Sequence, residues 1–300
     1  GPGKHKWEMK TITRAGWGDS ARGEGESRDG RIEVKPLAEG IHIVRFDGNA
    51  GTEQRFLAVD PPAELNRAAR KKVKKALPHS AEILLSGRPF TIVAMGDSVT
   101  FTGDYAGLLA MLLQRVTGNT NITVLRKGYS GRTVDAAVRF FDDDVIPNKP
   151  QLGLLMYGLN DEGCGASLEG YVAQCRSVVE RLDKECGADA VLLQPTPHIE
   201  IPVDGAVANT AFPFRMLAFA DALRPLAKQC GIPLAETFQS IWGRGGVSVE
   251  DSARLMWPLY PTVFNEQFRA MLETNGEGDP LHPNVLGHLA IARSVFDALT

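Results

Sequence analysis

No run of about 18 apolar residues occurs in the 300-residue chain, so no membrane-spanning helix is expected. Cysteine is scarce: Cys164, Cys175, Cys186 and Cys230 are the four. None forms a CxxC pair, and their spacing suits no standard zinc site. Small apolar residues of a reduced core fit them, with one or two disulfides as the alternative for an exported protein. None of the six histidines stands in an HExxH, so neither a metal nor a cofactor is expected. An excess of one charge is lacking too. Lys and Arg number 33 against 36 Asp and Glu, a net charge of -3, which leaves no electrostatic footprint for nucleic acid. The one basic cluster, RKKVKK (Arg70–Lys75), shares its stretch with Ala68, Ala69, Val73 and Leu77, so it reads as the wet side of an amphipathic helix. No signal peptide is visible, and Gly1-Pro2-Gly3 reads as a cloning remnant. Localisation stays open on that ground: secreted or periplasmic if a leader has been removed, cytoplasmic otherwise. Nothing in the sequence speaks to oligomeric state.

What is present divides in two. Short alternating runs (WEMKTIT, RIEVKPL, IHIVRF and QRFLAV) predict strands in a small β-rich unit over residues 1–62. The glycine- and charge-dense stretch GWGDSARGEGESRDG (Gly16–Gly30) between them reads as a loop. A helix over 63–77 follows, within a connecting segment 63–89. From Phe90 to Thr300 the pattern becomes strands alternating with helices. FTIVAM (90–95), ITVLR (122–126), LGLLMY (152–157), AVLLQ (190–194) and IPLAE (232–236) are nearly continuous apolar runs, as parallel strands buried on both faces require. Amphipathic stretches over 104–117, 132–143, 167–186, 209–230 and 284–299 lie between and after them. Five strands are too few for an eight-stranded barrel. The expected fold is therefore α/β: a flavodoxin-like three-layer sandwich around a five-stranded parallel sheet. In such sheets, sites form beyond the carboxyl ends of the strands.

Four segments stand at those ends. Gly96-Asp97-Ser98 closes the first strand, where Ser98 fits either a helix cap or a nucleophile at a helix start. KGYSGRT (Lys127–Thr133) closes the second, a glycine loop that can present the Gly131 N–H. It is not a G-x-S-x-G elbow, because position 132 is Arg. YGLNDEG (Tyr157–Gly163) closes the third and offers the Asn160 amide. GEGDPLHPNVLGH (Gly276–His288) precedes the final helix and sets Asp279 three residues before His282, each stiffened by a following proline. An aspartate on Nδ1 of a histidine leaves Nε2 as a base. Each signal alone has an ordinary reading as a turn, a cap or a surface pair. Together they supply the parts for acyl transfer.

The set resembles the SGNH/GDSL hydrolase superfamily. Gly96-Asp97-Ser98-Val99 is similar to its first block, with Val where Leu is often found. GYSGRT, Gly158-Leu159-Asn160-Asp161 and Asp279-Pro280-Leu281-His282 are similar to the others. The likeness covers about 90–300 and not the N-terminal unit. It implies Ser98 as nucleophile and His282 as base, oriented by Asp279. The Ser98 N–H, Gly131 N–H and Asn160 amide would then form the oxyanion hole. One departure is Arg126, where many members carry Asn.

A small-acyl ester hydrolase follows as the expectation, most simply a carbohydrate O-acetyl esterase acting on a small-molecule or glycan ester. A lipid or thioester acyl hydrolase is the alternative, and a catalytically silent glycan-binding protein the third reading. Candidate substrate contacts are Asp97, Arg132, His198 in QPTPHIE, and Trp257 in the aromatic stretch LMWPLYPTVF (Leu255–Phe264).

Overall fold

Opposite charges face each other at alternate positions across the first hairpin. The computed structural model describes residues 3–13, 16–27, 32–47, 49–197, 211–242 and 281–300. In it β1 (Gly3–Thr13) pairs antiparallel with β2 (Gly16–Ser27), setting Lys6 opposite Glu24 and Glu8 opposite Arg22. The stretch expected to be a loop is thus largely a strand. Its glycines hide the period-two pattern, yet one is needed: a Cβ at Gly23 would meet the Trp7 indole at 2.5 Å. β3 (Gly40–Phe46) and β4 (Asn49–Ala58) complete a sheet of order β2-β1-β3-β4. Of RIEVKPL, the described residues 32–37 form no strand. From 32 to 39 the chain runs as coil and bends, since Pro36 removes a ladder donor.

The chain divides into two compact units, Gly1–Pro61 and Pro62–Thr300. In the second, α1 (Arg67–Ala76) starts on Asn66, whose side chain accepts from the Ala69 N–H at 2.9 Å. It buries Val73 and leaves the Arg and Lys of the basic cluster in water, so the cluster is a solvated face. α2 (Ala81–Leu85) follows. Between them, the buried Asp189 carboxylate accepts from the Ser80 N–H at 2.9 Å and the Ser80 hydroxyl at 2.6 Å. Residues 63–89 are thereby tied to the main sheet.

That sheet contains β5 (Phe90–Gly96), β6 (Ile122–Gly128), β7 (Leu152–Met156), β8 (Asp189–Leu193) and β9 (Leu234–Ala235). All pairs are parallel and the order is β6-β5-β7-β8-β9. The connecting helices are α3 (Ser98–Thr102), α4 (Tyr105–Thr117), α5 (Asp135–Arg139), α6 (Phe141–Asp144), α7 (Leu159–Gly163), α8 (Leu168–Cys186), α9 (Ala211–Cys230), α10 (Thr237–Trp242) and α11 (Val285–Leu299). The single helix expected over 132–143 is two short ones. α8 begins at the Ser167 cap and ends at Gly187 in the left-handed region.

Alternation along each strand feeds two cores. Val93, Met95, Leu155 and Leu192 join Val178 and Leu182 of α8 and Leu223 and Leu226 of α9 in one buried cluster. Ile92, Ala94 and Leu154, on the alternate positions, are equally buried, and α4 packs against α11. Among the described residues no helix is long and apolar enough to cross a membrane. The four cysteines are free thiols: Cys164 exposed, Cys175 buried, Cys186 and Cys230 half-buried.

Candidate active site

Strand register sets the level of the site. Gly96, the last residue of β5, pairs with Gly128 of β6 on one side and Met156 of β7 on the other. The chain crosses from one neighbour to the other at this point, so the loops after three strands open into one crevice. Position 96 accepts no side chain: a Cβ would stand 2.0 Å from Thr100 Oγ1 and 2.8 Å from the Met156 carbonyl oxygen.

Asp97 turns the chain from strand into α3. Its carboxylate accepts from the Val99 N–H at 2.9 Å, and the Thr102 hydroxyl donates to the Ser98 carbonyl at 2.8 Å. Ser98 opens the helix, so its N–H is one of those the helix itself leaves unpaired. The Ser98 hydroxyl forms a 2.7 Å hydrogen bond with Nε2 of His282. Two residues on, the Asn284 side chain accepts from the Leu286 and Gly287 N–H groups at 2.9 and 3.1 Å and starts α11.

The glycine loop after β6 is held at three points. The Tyr129 N–H donates to the Gly96 carbonyl at 2.9 Å. The Val134 N–H donates to both oxygens of Asp161, at 3.1 and 3.3 Å. The Asn160 amide donates to the Arg132 carbonyl at 3.1 Å. One amide hydrogen bond leaves Asn160 a second N–H to offer. Gly131 has φ +70° and is exposed, as is Arg132.

Buried titratable groups stand near Ser98 and His282. Burial pushes the Asp97 carboxyl up to about 7, against the Val99 N–H and nearby His282, which pull it down. Burial raises Asp161 as well, opposed first by the Val134 N–H. His288 lies under the site with its imidazole parallel to the Tyr105 ring, 6.2 Å between centroids. Burial pushes it down to about 3, and the neighbouring His282 and Arg126 act in the same direction. The Tyr105 hydroxyl is 3.0 Å from Thr100 Oγ1, which links His288 back to α3. Arg126, the departure noted in the sequence, donates from Nη1 to the Gly103 carbonyl at 2.6 Å and so fixes the end of α3.

A serine hydroxyl on an imidazole nitrogen, a helix-start N–H and a side-chain amide after adjacent strands are the parts an acyl-transfer site uses. The structure brings Ser98 to His282, and Asn160 to the loop carrying Gly131 and Arg132. Asp97, expected against substrate, is 2% exposed, and its carboxylate accepts from the Val99 N–H. Asp279, His198 and Trp257 lie outside the described residues. Sequence reasoning missed Asp161, Arg126 and His288 as supports. Asp161 had a signal, standing beside Asn160 after a strand end; the partners of Arg126 and His288 are set by packing alone. Among the described residues no group of three or more His, Cys, Asp or Glu could hold a metal ion.

The sequence matches the GDSL-like lipase/acylhydrolase family over residues 94–290. An acetylxylan esterase from Geobacillus stearothermophilus is 26% identical over 228 residues, 68% of this chain and 90% of the relative. The crystal structure of an acetylxylan esterase from that organism superposes with a TM-score of 0.50 at 21% identity, covering 70% of this chain and 94% of that one. A serine-to-alanine variant described as a catalytic mutant of that esterase has a TM-score of 0.51 at the same identity and coverage.

Proposed function

The chain belongs to the GDSL-like lipase/acylhydrolase family and is a carboxylic ester hydrolase; on that premise we propose that it removes small acyl groups, acetyl first, from carbohydrate hydroxyls, with Ser98 as nucleophile. The observation that carries the reading is the 2.7 Å contact between Ser98 and His282 Nε2 at the switch point of the sheet.

In the proposed reaction His282 takes the Ser98 proton as Oγ attacks the ester carbonyl. The carbonyl oxygen becomes an oxyanion, facing the Ser98 N–H, the Gly131 N–H and the free Asn160 N–H. The tetrahedral species collapses, His282 returns the proton to the departing sugar oxygen, and the C–O bond breaks. Water, deprotonated by His282, then attacks the acyl-serine; the acyl–Oγ bond breaks, His282 returns the proton to Ser98 Oγ, and the acid is released. Asp279 is assigned the orienting role on the sequence resemblance. The sugar preference is supported by the likeness to an acetylxylan esterase.

Initial rates on p-nitrophenyl acetate, butyrate and octanoate, and acetate release from acetylated xylan, test this with the native chain and Ser98→Ala. The expected result is the highest rate on acetate, acetate release from xylan, and loss of both in the variant. A best rate on octanoate overturns the carbohydrate reading. Equal rates in the two proteins overturn the role of Ser98.

A further inference from the structure

Phe101 is out of place for a phenyl ring. Among the described residues, large apolar side chains stand exposed at Leu37, Phe101, Ile146 and Leu168, and Phe101 is both the aromatic one and the most exposed, at 52%. It lies on α3, the five-residue helix that opens with Ser98. Residues three apart on a helix are neighbours, with Cβ atoms about 5–6 Å from each other. The phenyl group is therefore one side chain away from the hydroxyl that meets His282.

Its position is fixed by the backbone. The Phe101 N–H donates to the Asp97 carbonyl at 3.0 Å. The helix is pressed against β6 at this residue: a Cβ on Gly128 would stand 2.3 Å from the Phe101 nitrogen. Thr102 and Gly103, next along, are buried, and Arg126 holds the Gly103 carbonyl. A ring carried on so short and braced a helix is preorganised, losing little freedom when something covers it.

The chemistry of a sugar acetate states what would cover it. The reacting carbonyl carbon is joined to the sugar ring through a single ester oxygen. With that carbon at Ser98 Oγ, the ring begins beside Ser98. A pyranose offers a face of C–H groups to a flat apolar surface and leaves its hydroxyls at the edge for water. Small-molecule sites combine apolar and aromatic side chains with a few placed polar groups.

We propose that Phe101 is the platform on which the sugar ring of the ester's alcohol half stacks. The inference rests on the carbohydrate-esterase reading above and names the residue that recognises the sugar. It makes Phe101 a specificity-determining side chain with no part in the bond-breaking steps.

The test compares kcat/KM on acetylated xylotriose with kcat/KM on ethyl acetate, whose alcohol half has no ring. Native protein, Phe101→Ala and Phe101→Trp are measured as full chains, with p-nitrophenyl octanoate as a third substrate. In Phe101→Ala the ratio of xylotriose to ethyl acetate is expected to fall about tenfold through a raised KM, and Phe101→Trp to keep it within about twofold. An unchanged ratio in Phe101→Ala overturns the proposal, as does an equal fall on both substrates, which would make Phe101 a support of α3. A loss confined to the octanoate ester overturns it too, by placing the acyl chain on the ring. Native protein that cleaves ethyl acetate and spares acetylated xylotriose is the separate outcome that overturns the carbohydrate reading itself.

Discussion

Gly103 and His288 occupy each other's space: a Cβ on Gly103 would lie 1.7 Å from the imidazole Cε1 and 1.8 Å from Nε2. Gly103 caps the end of α3, which begins at Ser98, while His288 sits on α11, which begins just after His282. Their contact therefore sets the distance between α3, which carries Ser98, and α11, which starts three residues after His282. Gly103→Ala is expected to destabilise the protein by about 1–3 kcal/mol, since the interior has no slack for an added methyl group. Activity per folded molecule is expected to fall as well, because the imidazole must move and α11 with it. Urea unfolding and kcat on p-nitrophenyl acetate check both parts. A variant that is active and as stable as the native protein would show that the contact is soft.

Ser98→Ala and Asn160→Ala separate two proposed roles. The first removes the nucleophile and is expected to lower kcat by roughly 10³-fold or more. The second removes one oxyanion donor and is expected to lower kcat by about 10²–10³-fold with KM little changed. Asn160 also braces the Arg132 carbonyl, so Tm is measured beside the kinetics. A rise in KM alone would assign Asn160 to substrate binding.

Asp161 links the third loop to the second. It is 2% exposed and accepts from the Val134 N–H, and Val134 is itself buried. Asp161→Ala leaves that N–H unpaired in a dry site, at an expected cost of about 1–3 kcal/mol. Asp161→Asn retains an accepting oxygen and is expected to lose less. Equal losses in the two variants would mean that the negative charge, and not the acceptor, is what matters there.

His288 gives stability a pH dependence of defined sign. Burial lowers its pKa to about 3 in the folded chain, while the unfolded chain takes up the proton near the ordinary value of about 6.5. The stabilising contribution is complete above about pH 6.5 and is lost progressively as pH falls toward 3. Between pH 7 and pH 5 this one group accounts for roughly 2 kcal/mol. Urea midpoints at the two pH values are expected to differ less in His288→Leu than in the native protein. The same loss in both would remove His288 as its source.

Legibility in the sequence followed locality. The central strands β5, β7 and β8 were readable because burial on both faces leaves little room for polar residues, and each run shows this by itself. β2 was unreadable as a strand because Gly16, Gly18, Gly23 and Gly25 carry no side chain to alternate. Its evidence was relational, in the charges of β1 opposite Glu24 and Arg22. The cap that Asp97 makes on α3 was not read from the sequence, because a five-residue helix is too short to show a period.

The sequence by itself determined which residue types stand at the strand ends, because glycine, serine and asparagine at a strand-to-helix corner are a matter of neighbours in the chain. It determined the family, because several short blocks in fixed order carry that likeness without any coordinates. Only the tertiary structure decided that Ser98 meets His282, 184 positions away. That contact depends on the level at which β5 aligns with β6 and β7, and on where α11 settles against α4 and Gly103. Both are outcomes of packing many side chains at once, and no window of sequence contains them.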